Sequence, residues 1–214
     1  MLLEDNRKKV IEIALKVQEK ELVTLTFGNF SIRDKETDYI CITPSGINYE
    51  DLKPEDIVVA NLHGEVIDGS KKPSTEILMH CAIYKKRQDV FGIIHTHSTM
   101  ATSWACCGMD IPCISSELSS LIGGPIRCAP YKTQETRELG EVAAATLKDS
   151  NAILLKNHGT ISVGKDINEA FINSIIVEES AKKAFYAKQI GVLSIISEDE
   201  CNLIKKNVKK KYGQ

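Results

Sequence analysis

The sequence predicts an α/β fold in which a mixed, largely antiparallel sheet is sandwiched between helices, as a single domain over residues 1–214. Three observations predict it. Segments with helical spacing of apolar residues alternate with short β-rich runs along the whole chain. Several of those runs are joined by tight Gly-containing turns, which make hairpins and argue against a doubly wound parallel sheet. No repeat, low-complexity linker or shift of composition divides the chain, and its length suits one substantial core.

The elements follow in order. Residues 6–19 carry Val10, Ile13, Ala14 and Val17 on one helical face. "LVTLTFGNFS" is a β-rich run, expected to stop at Gly28-Asn29. "YICITPSGINYE" reads as a short strand entering a Pro-Ser-Gly turn, and "DIVVANLHGEVIDG" as a hairpin about His63-Gly64. Residues 74–87 present Ile77, Leu78, Cys81, Ala82 and Tyr84 on one face of a helix, with His80 as an ordinary helical residue. "FGIIHTH" is a buried strand, "STMATSWACC" a helix, "PIRCAPY" a short strand, and 135–149 a helix rich in Ala and Glu. "AILLKNHGTISVG" repeats the shape of an apolar strand with a histidine at its end, and helices over 167–189 and 197–210 close the chain.

Composition excludes several classes. With 43% apolar and 26% charged residues and a formal net charge of -2, the chain looks like an ordinary soluble protein without the basic excess of a nucleic-acid binder. The first residues, "MLLEDNRKKVIEIALKV", mix charges into an apolar pattern and do not read as a signal peptide. No apolar run approaches the roughly 18 residues of a membrane span, so no membrane partner is expected. Seven cysteines without C-x-x-C spacing predict buried, reduced thiols in a cytoplasmic protein.

The chemistry concentrates in "FGIIHTHSTM". Residues two apart on a strand share a face, so His95 and His97 point together. His158 closes a similar run just before Gly159. Three neutral imidazoles with one open position is the ligand count of a catalytic zinc or related divalent site. Taken alone, H-x-H fits core or surface histidines equally well.

In "KKPSTEILMH", Pro73-Ser74 resembles a helix start with Ser74 as N-cap and Glu76 in the first turn. Such an end has unpaired N–H groups and suits an anion, although plain capping explains these residues as well. "TFGNFS" and "TPSGI" are two further polar turns able to hold a phosphate through backbone N–H groups and hydroxyls.

In chain order, "GNFS", "TPSG", "PSTE", "HTH" and "NHG" resemble the class II aldolase/adducin superfamily, and within it the fuculose-phosphate aldolase branch. The resemblance spans almost the whole chain and implies a three-layer αβα fold. It also implies a Zn2+ or other divalent metal, and a homotetramer with active sites at subunit interfaces. Carried over by position, His95, His97 and His158 would hold the metal. Glu76 would be the acid/base and a fourth, displaceable ligand. Gly28 with Asn29, Ser45 with Gly46, and Ser74 with Thr75 would hold a substrate phosphate. The reaction implied is cleavage of a ketose 1-phosphate, such as L-fuculose 1-phosphate, into dihydroxyacetone phosphate and an aldehyde.

Departures from the family pattern fall at the aldehyde end. The region after "IP" reads "DIPCISSELSSLIGG" and lacks the tyrosine of the fuculose enzymes; Glu117 falls nearest. That glutamate is a candidate for the aldehyde pocket or for an alternative acid/base, as in the methylthioribulose-1-phosphate dehydratases. It also fits the first turn of a short helix after Ser115 or Ser116. Gln134 stands where the fuculose enzymes resemble an aromatic, and Tyr212 in "KKKYGQ" corresponds to a C-terminal tyrosine that reaches a neighbouring subunit's site. The alternatives implied are an L-ribulose-5-phosphate 4-epimerase, a dehydratase, and a non-catalytic adducin-like interaction domain. Retention of all three histidines and Glu76 disfavours the last.

Overall fold

The computed structural model describes the backbone of residues 1–212 and the side chains of residues 1–207. Its elements are α1 (Glu4–Glu19), β1 (Gly28–Arg33), β2 (Ile40–Ile42), β3 (Val58–Ala60), β4 (Val66–Asp68) and α2 (Ile77–Lys86). There follow β5 (Gly92–Thr96), α3 (Thr99–Cys106), β6 (Arg127–Ala129), α4 (Arg137–Leu147), β7 (Ala152–Leu155), β8 (Gly159–Gly164), α5 (Ile167–Ile190) and α6 (Glu198–Tyr212). The strands form one eight-stranded sheet in the order β4-β3-β2-β1-β5-β8-β7-β6. Every neighbouring pair is antiparallel except β6 with β7. The mixed, largely antiparallel sandwich expected from the sequence is the observed architecture.

Alternation along the strands explains the two apolar faces. Ile40, Ile42, Ile93, Ile153 and Leu155 pack with Met79, Ile83 and Leu139 of α2 and α4. The intervening Cys41 and Ile94 pack with Val10, Ile13 and Ile167 of α1 and α5, and Ala152 and Leu154 with Trp104 and Val177 of α3 and α5. Burial on both faces is why these strands read as continuous apolar runs rather than as alternating ones. Gly92 allows α5 to approach β5, because a Cβ there would lie 2.4 Å from the Ile167 backbone.

Three local expectations need correction. The β-rich run 22–31 does not stop at Gly28; the strand starts there, since Gly28 is the first residue that can pair with β5 at Thr96. A Cβ on Gly28 would come within 2.5 Å of Val23 and 3.0 Å of the His95 carbonyl oxygen. Second, α2 begins at Ile77 with Glu76 in the capping position and no side-chain cap, rather than with Ser74 as N-cap. Pro73-Ser74 is instead extended: Pro73 bridges Pro44, and the Ser74 N–H donates to the Thr43 carbonyl at 3.0 Å. Third, all seven cysteines are free as expected, but Cys106 and Cys107 at the end of α3 are exposed rather than buried. Glu117 lies, as one of its readings expects, in the first helical turn after Ser115, whose Oγ accepts from the Leu118 N–H at 3.3 Å, and that turn widens into a π-helix over Leu118–Ile122.

Candidate metal centre and active site

The five short motifs meet at one edge of the sandwich, and the register of the sheet brings them there. Asn29 on β1 stands directly opposite His95 on β5, so both face the α2 layer. His97 follows two residues after His95, just past the end of β5. His158 comes from the turn between β7 and β8, where Asn157 takes a positive φ of 57°. Gly159 is required beside it: a Cβ there would lie 2.4 Å from the Thr96 carbonyl oxygen and 2.7 Å from His97 Cδ2.

The three imidazoles form a cluster whose candidate ligand atoms all lie within 4.8 Å of one another. Nε2 of His97 is 3.0 Å from Nε2 of His95. His95 is fully buried and its Nδ1 donates to the Thr160 carbonyl at 2.9 Å, which leaves the Nε2 lone pair facing the cluster. Glu76 closes the group from the start of α2. Its Oε2 lies 3.0 Å from His95 Nε2, and its Oε1 lies 3.2 Å from His158 Nε2. That second contact lacks hydrogen-bond alignment, so Oε1 is a buried acceptor without a hydrogen-bond partner, aimed at the histidines.

Electrostatics agree with a cation site. Burial works to raise the Glu76 pKa, but His95, His158 and a hydrogen bond from Asn29 outweigh it and hold the carboxyl well below the usual carboxylate range. Burial opposes charge on His95, yet Glu76 and the Thr160 carbonyl raise its pKa above the ordinary histidine value. Burial and the neighbouring rings push His97 down to about 3, and burial with His95 pushes His158 down to about 4. Rings this close share one positive charge at most, so two stay neutral and offer lone pairs. Three imidazole nitrogens and one carboxylate suit zinc or a related divalent ion.

Beside the cluster lies a cleft of about 330 Å³ lined by His97, His158 and Glu76, and by Gly28, Asn29, Ser45, Gly46, Ser74 and Thr75. The "TPSG" and "PSTE" stretches meet there because the Ser45 N–H donates to the Lys72 carbonyl, next to the Pro44–Pro73 bridge. Gly46 turns the chain with a positive φ of 73°, which favours glycine. Gln134 also lines this cleft, together with Glu135 and the half-exposed ring of Phe27, which stacks nearly parallel on His97 with centroids 6.2 Å apart.

Glu117 stands elsewhere in this chain. It is exposed, does not line the cleft, and pairs with Lys183 at 3.3 Å. The side chain of Tyr212 lies outside the described residues. One buried group escaped the sequence reading: His80, wholly inaccessible, hydrogen-bonds Asn29 and Ser31 beneath the site. Its signal was the four-residue spacing from Glu76, which places both on one side of α2's first turn, over the i, i+2 pair Asn29 and Ser31.

The sequence profile described as Class II Aldolase and Adducin N-terminal domain matches residues 8–185. The chain belongs to that family. Across all of both chains, this class II aldolase-family protein is 40% identical to a 5-deoxy-D-ribulose 1-phosphate aldolase of Bacillus thuringiensis serovar kurstaki. It is 32% identical to an L-ribulose-5-phosphate 4-epimerase of Salmonella paratyphi C, covering 97% of this chain and 95% of that protein. Among solved structures it is similar to an L-fuculose 1-phosphate aldolase at 35% identity and a TM-score of 0.92, over 96% of each chain. A divalent metal belongs to the chemistry of class II aldolases, and the His95–His97–His158 cluster fits one. Among the described residues, no helix is long and apolar enough to cross a membrane.

Proposed function

We propose that this protein is a zinc-dependent aldehyde-lyase that cleaves a short deoxyketose 1-phosphate to dihydroxyacetone phosphate and an aldehyde. The observation that carries the reading is the Glu76 carboxylate against three converging histidines, at the end of a cleft lined by hydroxyl and amide groups. The relatives named as 5-deoxy-D-ribulose 1-phosphate and L-fuculose 1-phosphate aldolases support the substrate class.

Each part has a task. His95, His97 and His158 would hold the metal, with Thr160 fixing the His95 tautomer. When bound, the metal supplies Lewis-acid stabilisation of the negative charge left on the ketose fragment by C–C cleavage. Glu76 sits within reach of the same space and moves the proton between solvent and the carbon that loses the aldehyde. Ser45, Gly46, Ser74, Thr75 and the start of β1 at Gly28 and Asn29 hold the phosphate, and this remote binding positions the reacting carbon. Asn29 engages Glu76 with one amide hydrogen at 2.9 Å, which leaves its second for a ligand in the cleft. Gln134 in place of an aromatic gives the aldehyde end a polar wall, and Tyr212 from a neighbouring subunit would complete it in a homotetramer.

The epimerase relative favours a second reading, because breaking and remaking a C–C bond uses the same metal and phosphate sites. It needs an additional acid in the loop after "IP", the part Glu117 would play across a subunit interface. Within its own chain Glu117 is paired with Lys183, which favours the aldolase.

Proton exchange tests the reading. Zinc-loaded protein in D2O should exchange one C–H hydrogen of dihydroxyacetone phosphate, seen by proton NMR, and Glu76→Gln should bind zinc yet stop the exchange. Full exchange in Glu76→Gln would remove Glu76 from the acid/base role.

A further inference from the structure

Behind Glu76 runs a chain of buried polar groups that neither the metal nor the phosphate accounts for. Glu76 Oε2 accepts from Asn29 Nδ2 at 2.9 Å, and Asn29 Oδ1 meets His80 Nε2 at 2.6 Å. His80 Nδ1 meets Ser31 Oγ at 2.7 Å, and Ser31 Oγ is 2.8 Å from the Tyr84 hydroxyl, which also donates to the Ser31 carbonyl at 3.0 Å. All five residues are buried, and His80 and Tyr84 are inaccessible.

With Glu76 ionised and His80 neutral, one hydrogen-bond direction serves every member. An ionised Glu76 accepts only, so Asn29 must present its amide NH2 to it and its carbonyl to His80. His80 Nε2 then carries the hydrogen, Nδ1 is the acceptor, and Ser31 donates to it. Tyr84 completes the sequence with its one hydroxyl hydrogen, shared in a three-centre bond between Ser31 Oγ at 2.8 Å and the Ser31 carbonyl at 3.0 Å. A neutral His80 fits this arrangement, with its pKa lowered to about 3 chiefly by burial.

Resting on the reading of Glu76 as acid/base, we propose that His80 is a positioning residue that fixes the Asn29 amide so that it holds the Glu76 carboxylate in its working orientation. The last torsion of a glutamate is broad and roughly two-fold, so packing alone leaves the carboxylate plane poorly defined. The N–H from Asn29 defines it, and an asparagine amide is itself free to present either end unless something on its far side discriminates. His80 discriminates because Ser31 and Tyr84 hold it in the Nε2–H form.

Two conservative variants separate this role from simple core packing. His80→Gln can place a donor near Nε2 and keep the Asn29 carbonyl paired; His80→Asn reaches Ser31 but leaves that carbonyl without its donor. Both put a polar amide at the same buried position. With zinc content matched, His80→Asn should lower kcat for dihydroxyacetone phosphate proton exchange by about 10- to 100-fold with little change in KM, as expected for a misplaced catalytic group. His80→Gln should recover most of the rate. In an Asn29→Ala background the His80→Asn change should have no further effect. Equal rates for the two variants, or additive losses in the double variant, would overturn the proposal.

A second measurement works without turnover. In metal-free protein, long-range proton–nitrogen NMR should show His80 as the neutral Nε2–H tautomer. The Asn29 side-chain amide should exchange slowly in wild type and His80→Gln, and at least about 10-fold faster in His80→Asn, a change that follows from losing one buried hydrogen bond. A Nδ1–H tautomer, or unchanged amide protection in His80→Asn, would contradict the positioning role whatever the substrate. Wild-type protein without proton exchange but with the expected tautomer and protection would refute the aldolase reading and leave the structural coupling standing.

Discussion

Nε2 of His95 lies 3.0 Å from Oε2 of Glu76, across the gap between the end of β5 and the start of α2. The two residues are 19 positions apart in sequence, and only the antiparallel pairing of β1, β5 and β8 beside α2 brings them together. A carboxylate this close to a histidine cluster serves as a ligand, a base, or each in turn. Removing the imidazole separates the contributions, because Glu76 remains. His95→Ala should reduce zinc affinity by more than about 100-fold, beyond the range typical of an outer partner of a metal ligand. Metal analysis after equilibrium dialysis checks it; undiminished zinc content would remove His95 from the ligand set.

Gly159→Ala is expected to damage the site without replacing a ligand. The added methyl would lie 2.4 Å from the Thr96 carbonyl and 2.7 Å from His97 Cδ2, distances that force backbone or ring to move. Overpacking of this kind costs about 1–3 kcal/mol. Denaturant unfolding should show that loss, and zinc titration should show weaker binding. Wild-type values in both would mean that the turn relaxes freely.

Ser74→Ala tests the phosphate cleft. A hydrogen bond to a charged group is worth about 1.5–3 kcal/mol, so KM for a phosphorylated substrate should rise about 10-fold or more. An unphosphorylated ketose should be affected little. Equal changes for the two would show that Ser74 acts only through the Glu76 N–H, which its hydroxyl meets at 3.3 Å.

Thiol titration of the native protein should show two fast cysteines, Cys106 and Cys107, which are exposed. Cys41 and Cys81 should stay unreactive until unfolding, because burial pushes their thiols up to about 12 and about 11 and the thiolate is the reactive form. Rapid modification of more than three thiols, allowing for the partly exposed Cys128, would contradict the packing described.

Much of this architecture was legible in the sequence because burial writes a periodic pattern. The helix starting near residue 6, the hairpin at His63-Gly64 and the buried runs through Ile93–Ile94 and Ile153–Leu155 all carry it. The histidine cluster was legible because His95 and His97 share one strand face, His158 closes a similar apolar run, and the five short motifs follow one another in the family's order. Less visible were features set by distant neighbours. The start of β1 at Gly28 depends on the partner strand at Thr96, and the extended Pro73-Ser74 depends on Pro44 and Thr43. His80 looked like an ordinary helical residue because its partners, Asn29 and Ser31, lie about fifty positions earlier in the chain.

The central claim is metal-dependent cleavage of a ketose 1-phosphate, and product release measures it most directly. Zinc-loaded protein would be given 5-deoxy-D-ribulose 1-phosphate and L-fuculose 1-phosphate in parallel, with dihydroxyacetone phosphate reduction coupled to NADH oxidation. The account predicts release from at least one of them, abolished by a chelator and restored by zinc. No release from either, with zinc bound and the protein folded, would contradict it, and epimerisation of L-ribulose 5-phosphate by the same sample would put the epimerase in its place.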